Sequence, residues 1–223
     1  MNQSPEPARV LLIDKPEGWT SFQAVKRLKY ALKARKIGHA GTLDPLATGL
    51  LIICQGKKTK EIELIQAMPK EYTGMFVLGE TTPSFDLETA VDKSFPTNHI
   101  TDELLAETVT SFLGEQEQTP PLFSAVKVNG KRAYDIARSG GTAELKSKKI
   151  NISEFEINRI EKNKILFRVV CSKGTYIRSL ARDFGNRLNS GAYLTNLRRT
   201  KIGDYSVEQA HHPKTDIESI IGQ

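Results

Sequence analysis

Long apolar runs are missing from this 223-residue sequence: the longest, Leu50 to Cys54, falls far short of the roughly 20 residues a membrane-spanning helix needs. The first residues, Met1-Asn2-Gln3-Ser4-Pro5-Glu6-Pro7, lack the basic start and apolar stretch of an export signal. Together these absences lead us to expect a cytoplasmic protein. Cysteine is scarce. Cys54 and Cys171 each close an apolar, strand-like run, which suits buried thiols better than a disulfide or a catalytic pair. His211-His212 has no third ligand at a zinc-like spacing, so it is expected as a surface pair and no metal site is implied. A phosphate-binding P-loop is also absent. Gly56-Lys57-Lys58 lacks the required Ser or Thr, and Gly49 lies too far upstream, which argues against a nucleotide-driven phosphotransferase.

What is present is ordinary globular composition with an unusual charge distribution. At 39% hydrophobic and 26% charged residues, the chain can fold around a sizeable core. The net charge of +6 is a moderate hint of a polyanionic partner, and its distribution says more. Gly18 to Leu43 carries six Lys or Arg and no acid, whereas Glu80 to Glu117 carries nine acids and only Lys93. Lys173 to Lys201 adds seven basic residues against Asp183 alone. Two basic stretches can converge on one face, or they can be solvated helix faces.

Periodicity predicts the elements. Val10 to Ile13 reads as a buried strand ended by the turn Lys15-Pro16-Glu17-Gly18. A basic amphipathic helix follows, capped by Thr20 or Ser21, with Gln23 able to complete a capping box and Phe22, Val25, Leu28 and Leu32 on its inward face. After a glycine-rich loop from Gly38 to Gly49 come a strand at Leu50 to Cys54, a short helix from Thr59 to about Ala67, and extended chain from Lys70 to Leu78. Helices are predicted at Thr101 to Leu113 and Thr175 to Leu188, with a turn or two at Tyr134 to Ser139. Asn129-Gly130 signals a tight turn. Runs at 150–160 and 165–171 should pair as antiparallel strands, and 194–207 should be extended. This order fits an α+β fold, a mixed and largely antiparallel sheet with packed helices, better than a βαβ series. We expect a flexible N-terminus at 1–9, a catalytic domain at 10–207 and a short tail at 208–223.

One carboxylate stands out. Asp44 precedes Pro45, which biases it away from helix, and glycines at 38, 41 and 49 permit a tight backbone path. Such a residue is either an exposed, rigidly held acid open to a large ligand or a plain turn opener.

The wider pattern bears on that choice. Lys15-Pro16-x-Gly18-x-Thr20-Ser21 and Gly38-His39-Ala40-Gly41-Thr42-Leu43-Asp44-Pro45-Leu46-Ala47-Thr48-Gly49 resemble the first two motifs of the TruB family of tRNA pseudouridine synthases. Lys70-Glu71-Tyr72, Leu78-Gly79, Pro120-Pro121 with Ser124-Ala125-x-Lys127, Gly130 with Tyr134 and Ala137-Arg138, Cys171 to Arg178, and Leu197-Arg198-Arg199 resemble later blocks in the same order. The resemblance covers about residues 10 to 207. It implies a pseudouridine synthase fold and isomerisation of a T-loop uridine, at the position called 55, without cofactor or metal. By resemblance Asp44 is the catalytic nucleophile, Arg178 its ion-pair partner, and Tyr72 the aromatic residue that stacks on the flipped base and assists proton transfer. His39 resembles the residue that enters the loop vacated by the base, and Tyr176 and Leu197 resemble pocket-lining residues. Lys15, Arg198, Arg199 and the basic helix would contact phosphates or pocket walls. Read without the family, Tyr72, Tyr176 and Leu197 are ordinary packing residues and His39 a loop hydrogen-bonder.

The pattern departs from the family at three places. Thr82-Pro83-Ser84-Phe85-Asp86 retains only the second acid of the usual Thr-Asp-Thr-x-Asp. Lys146-Ser147-Lys148-Lys149 stands where relatives often carry an arginine, and lysine cannot reproduce bidentate contacts, so the RNA-contacting insertion about 124–150 is expected to bind differently. Only 18 residues follow Tyr205, and a C-terminal PUA-type domain is expected to be absent. The sequence therefore predicts a monomeric, stand-alone enzyme acting on the tRNA T-arm without guide RNA. The intact Asp44, Tyr72 and Arg178 set favours an enzyme over a tRNA-folding protein. Pro45 to Gly49 resembles the bacterial stand-alone form rather than an RNA-guided one.

Overall fold

A computed structural model describes residues 6–128 and 130–222. The elements in chain order begin with β1 (Arg9–Lys15), α1 (Ser21–Ala31), β2 (Ile37–His39), β3 (Thr48–Gln55), a 3₁₀ turn (Gly56–Glu61), α2 (Ile62–Ala67), β4 (Lys70–Leu78), β5 (Glu80–Thr81) and β6 (Lys93–Ser94). Then come α3 (Asp102–Thr110), β7 (Gly114–Gln118), β8 (Lys127–Val128), β9 (Lys131–Arg132), α4 (Ala133–Arg138), β10 (Lys148–Glu161), β11 (Lys164–Cys171), α5 (Ile177–Arg187), β12 (Ala192–Ile202), β13 (Tyr205–Ser206) and α6 (Ile217–Gly222). The expected α+β class with a largely antiparallel sheet is observed. Contacts gather into two compact units, one of residues up to Thr73 with those from Leu197 onward, the other Gly74–Asn196.

In the first unit β3 lies between β1 and β12. Its continuous apolar run is explained by burial on both faces. Leu51 and Ile53 join Leu11, Ile13, Ala24, Val25 and Leu28 under α1, while Leu50, Ile52 and Cys54 pack with Ala40, Ile65 and Ile202 on the other face. The antiparallel register Ile13↔Leu51 and Leu11↔Ile53 keeps these two sets apart. β12 joins β3 in parallel through Arg198↔Thr48 and Arg199↔Gly49. Helix α1 starts with the expected capping box: the Gln23 amide donates to Thr20 Oγ1, and Thr20 N donates to Gln23 Oε1.

Three expectations change here. Phe22, assigned to the inward face of α1, is 71% exposed, because Ser21, Ala24, Val25 and Leu28 already fill the arc against the sheet. Residues 208–222, expected as a tail, are packed: Asp14 N donates to the His211 carbonyl, His211 N donates to Leu12 O, and Ile220 is fully buried. His211 is accordingly half-buried rather than a surface residue. Of the expected flexible N-terminus, residues 1–5 lie outside the described residues, and Glu6 accepts hydrogen bonds from the amides of Arg35 and Lys36. Asn129 of the predicted turn also lies outside them; on either side β8 and β9 pair as a short antiparallel hairpin.

In the second unit the order runs from β4 through β11 and β10 to β7. β10 and β11 pair antiparallel as expected, with Phe155↔Val169 and Ile157↔Phe167 in register. The core is aromatic. Phe76 stacks on Phe167 at 4.2 Å, and Phe184 of α5 contacts the rings of Phe76, Phe112 and Phe155. Both cysteines are buried and neither forms a disulfide, one lying in each unit. No helix among the described residues is long and apolar enough to cross a membrane.

Gly49 is where the first unit has least tolerance. Its φ is +99°, and a Cβ there would sit 2.3 Å from the Arg199 carbonyl oxygen across the parallel pairing. Gly18 also has a positive φ, +77°, but faces open space. Gly49→Ala should therefore cost at least about 2 kcal/mol, the sum of left-handed strain and a backbone clash, while Gly18→Ala costs about 1 kcal/mol. Denaturant unfolding checks the ranking; a Gly49→Ala midpoint at or above that of Gly18→Ala would refute the packing argument.

Candidate active site

The segment around Asp44 is a loop whose carbonyls and amides are held from four directions within the first unit. Asp44 itself opens a turn, its carbonyl accepting from Ala47 N at 3.1 Å. Before it, the buried Ser21 hydroxyl donates to Leu43 O at 3.1 Å and accepts from Leu43 N at 2.8 Å. Ser21 can do this because Thr20 takes the capping role. After it, Pro45 O accepts from Gly18 N at 2.9 Å and from Lys15 Nζ at 3.3 Å. The Asp44 side chain is left half-buried at the loop's apex.

Two cations lie inside this scaffold. Lys15 is 0% exposed and donates to the carbonyls of Pro16, Trp19 and Pro45, three acceptors for the three protons of an ammonium. Arg199 is 1% exposed; its Nε donates to Leu50 O at 2.8 Å and its Nη2 to Gly41 O at 2.9 Å. Burial pushes the Lys15 amine down to about 8, the Asp44 and Glu17 carboxylates oppose the fall, and Arg199 adds to it. His39 is also held below its ordinary value by burial and by Arg199, against a backbone hydrogen bond with Gly41, and the fall favours the neutral ring. His39 Nδ1 is buried and has no hydrogen-bond partner among the described residues.

Arg198, next to the buried Arg199, points the other way along β12. It forms a two-point ion pair with Asp14 at 3.0 and 2.7 Å and stays partly exposed. Leu197 is half-buried, its carbonyl accepting from Thr48 Oγ1 at 3.4 Å. Tyr72 on β4 is buried, with 9% exposure. The first unit thus brings Lys15, His39, Asp44 and Arg199 to one loop.

In the second unit Arg178 sits in the first turn of α5, 5% exposed. Its Nε lies 3.5 Å from Asp86 Oδ2, and its Nη atoms donate to Ser84 O at 3.3 Å and Phe123 O at 2.8 Å. The departed motif 82–86 is a tight knot: Thr82 Oγ1 and Ser84 Oγ both donate to Asp86 O, and Phe85 has φ +63°. Tyr176 is the N-cap of α5, its backbone gripped at N and O by the Gln118 amide at 2.8 and 3.2 Å. Along the insertion, Glu88 accepts from Tyr134 Oη at 3.1 Å and Arg138 Nη2 at 3.0 Å, so α4 is tied down beside the knot.

Sequence reasoning missed Ser21, Asp14, Ser84 and Gln118 as holders of site residues. Ser21 had a signal: with Thr20 and Gln23 forming the capping box, the next hydroxyl is available for other work. The others act through long-range pairing that a linear pattern does not show.

Lys15 offers a direct test of the scaffold. Its folded value near 8 lies below the ordinary ~10.4 of an unfolded chain, so the unfolded state binds more protons between these limits. The Lys15 contribution to stability therefore rises with pH across that window. Wild type should gain unfolding free energy relative to Lys15→Met between pH 8 and pH 10, measured by denaturant titration at each pH; a constant difference would show that burial does not lower the Lys15 amine.

Residues 29–177 match the family described as TruB family pseudouridylate synthase, N-terminal domain. The chain is 62% identical over 209 residues to tRNA pseudouridine synthase B of Flavobacterium johnsoniae, 91% of each chain being covered. It is 56% identical over 205 residues to the protein of the same name from Phocaeicola vulgatus, covering 89% of this chain and 87% of that one. Among solved structures it is similar to a chain of a Cbf5-Nop10-Gar1 complex, at 28% identity and a TM-score of 0.71. A chain of an H/ACA RNP bound to a substrate RNA containing 2'-deoxyuridine matches at 26% identity and a TM-score of 0.70. These alignments cover 94% of this chain, which spans about half the length of those two, 53% and 52%. With its loop, its order of motifs and these relatives in agreement, the chain belongs to the TruB family of pseudouridylate synthases.

Proposed function

We propose that this enzyme isomerises the T-loop uridine of tRNA, at the position called 55, and that Asp44 is its nucleophile. The observation that carries the residue assignment is the loop geometry. The backbone on both sides of Asp44 is fixed by Lys15, Ser21, Gly18 and Arg199, so the chain that carries the carboxylate is held in place before substrate arrives.

The reaction adds and removes no atoms. The bond between uracil N1 and the sugar breaks, the ring turns, a carbon–carbon bond to C5 forms, and the proton of C5 is replaced by one at N1. No co-reactant is needed, which is consistent with the expectation of neither cofactor nor metal. The target base must leave the folded loop first, at a cost of a few kcal/mol that binding of the remaining RNA has to supply. Tyr72 is assigned the face on which the flipped uracil stacks, with Tyr176 and Leu197 as pocket walls and His39 as the residue taking the vacated place. A neutral His39 suits that role, since a flat uncharged ring substitutes for a base more readily than a cation does. Arg178 is assigned as the ion-pair partner of the nucleophile. Asp86, Ser84 and Phe123 hold its guanidinium in one orientation beforehand.

The burial of Lys15 and Arg199 gives them positioning roles under the loop rather than contacts with phosphates. Arg198 is partly exposed and can reach a phosphate by exchanging its pair with Asp14. We propose that the enzyme works as a monomer in the cytoplasm, on tRNA alone, as suits its similarity to the synthase B relatives.

Asp44→Asn should bind an unmodified tRNA transcript as wild type does and yield no pseudouridine by mass mapping; conversion at the wild-type rate would sink the mechanism. Tyr72→Phe separates stacking from hydroxyl chemistry: a large fall in single-turnover rate with unchanged affinity is expected if the hydroxyl moves a proton. Full activity would leave Tyr72 only its stacking face.

A further inference from the structure

Helix α1 carries a surface that the catalytic scaffold does not use. Its inward arc is spent on Ala24, Val25 and Leu28, yet Phe22 and Tyr30 stand out into solvent, 71% and 72% exposed. At 100° per residue Phe22, Lys26, Lys29 and Tyr30 fall within about one third of the helix circumference, with the two rings about 12 Å apart along the axis and the two lysines between them. The helix contains no acid, and neither Lys26 nor Lys29 is ion-paired with a described residue. Beside Tyr30 an open groove of about 540 Å³ is lined by Gln23, Lys26, Arg27, Ala31 and Ile217, within the size range of small-ligand sites. Arg27 is held at its edge by donating to Pro213 O. Of the acids flanking Ile217, Asp216 is engaged by His212 and Thr215, and Glu218 is exposed.

We infer that this face of α1 grips a single-stranded stretch of the substrate RNA lying outside the stem-loop that carries the target uridine. The inference rests on the proposal that the substrate is tRNA. The chemistry favours unpaired RNA over the alternatives. Exposed rings offer stacking platforms that only unpaired bases can use, and lysines between them neutralise the phosphates linking those bases. Lysine is depleted from protein–protein interfaces, and a paired duplex would leave both rings in water.

Two double variants test it, Phe22→Ser with Tyr30→Ser and Lys26→Gln with Lys29→Gln. All four side chains are on the surface, and thermal unfolding at the wild-type midpoint verifies the fold. Each is assayed for KM, kcat and filter-binding affinity on a full unmodified tRNA transcript and on the isolated T-arm hairpin. The expected result for each is a KM and Kd about ten-fold higher on the full transcript, with kcat unchanged and the hairpin unaffected, since stacking of one base is worth about 1–3 kcal/mol. Wild-type affinity for the full transcript overturns the inference and leaves the face to a protein partner. An equal loss on both substrates also overturns it, because the face would then serve the stem-loop itself. Failure of wild type to convert either RNA would remove the proposed function instead, and the binding arm would still decide the inference.

Discussion

A buried ammonium under a carbonyl-rich loop is the constraint on which the first unit depends. Taking Lys15 out of water costs several kcal/mol unless its charge and protons are met, and here three carbonyls and a nearby carboxylate meet them. The same contacts answer the opposite problem. A tight loop leaves backbone carbonyls without partners, and an unpaired buried carbonyl is itself expensive. Cation and loop each reduce the other's penalty, though burial still wins enough to bring the amine down to about 8, and this coupling ties the Asp44 segment to β1.

Arg199 extends the arrangement into the sheet. Its backbone pairs with Gly49 in parallel, which carries its side chain beneath the loop to Leu50 and Gly41. A glycine at 49 permits the approach, so the register of two strands and the placement of a guanidinium are one fact. The second unit repeats the device independently. Arg178 is fixed by two carbonyls and the Asp86 carboxylate, and the hydroxyls of Thr82 and Ser84 stiffen the turn that supplies the Ser84 carbonyl and that carboxylate.

Much of the fold was legible because its signals are local. The double-sided burial of β3 shows in its unbroken apolar run, the β10–β11 pair in alternation, and the start of α1 in Thr20 and Gln23. Phe22 misled because a helical arc says which residues share a face, not how wide the partner surface is; Ala24 and Ser21 filled it first. Residues 208–222 looked like a tail because their attachment is partly main-chain, through His211 to β1, and backbone pairing leaves little trace in residue type, while the apolar anchors Ile217 and Ile220 are few. The motif order singled out Asp44, but local chemistry left it between turn opener and acid. The difference lies in Ser21, Lys15 and Arg199, whose contacts with the loop span up to 158 residues of sequence.

Burial also changes how the charge of this protein should be counted. The sequence offers two basic stretches as one undifferentiated attraction for a polyanion. Within and just before them, Lys15, Arg178 and Arg199 are buried and spend their donors largely on carbonyls, while Arg198 is paired with Asp14. Counterions are released only where a cation meets a phosphate, so the three buried cations should contribute little to the salt dependence of RNA binding. The attraction must come instead from cations that remain in solvent, such as Lys26 and Lys29 on α1 and Lys33 just after it. A protein of this kind divides its basic residues by depth: the deep ones build a rigid site, the shallow ones draw the RNA to it. Net charge alone cannot distinguish the two, but the pattern of carbonyl acceptors around each cation can.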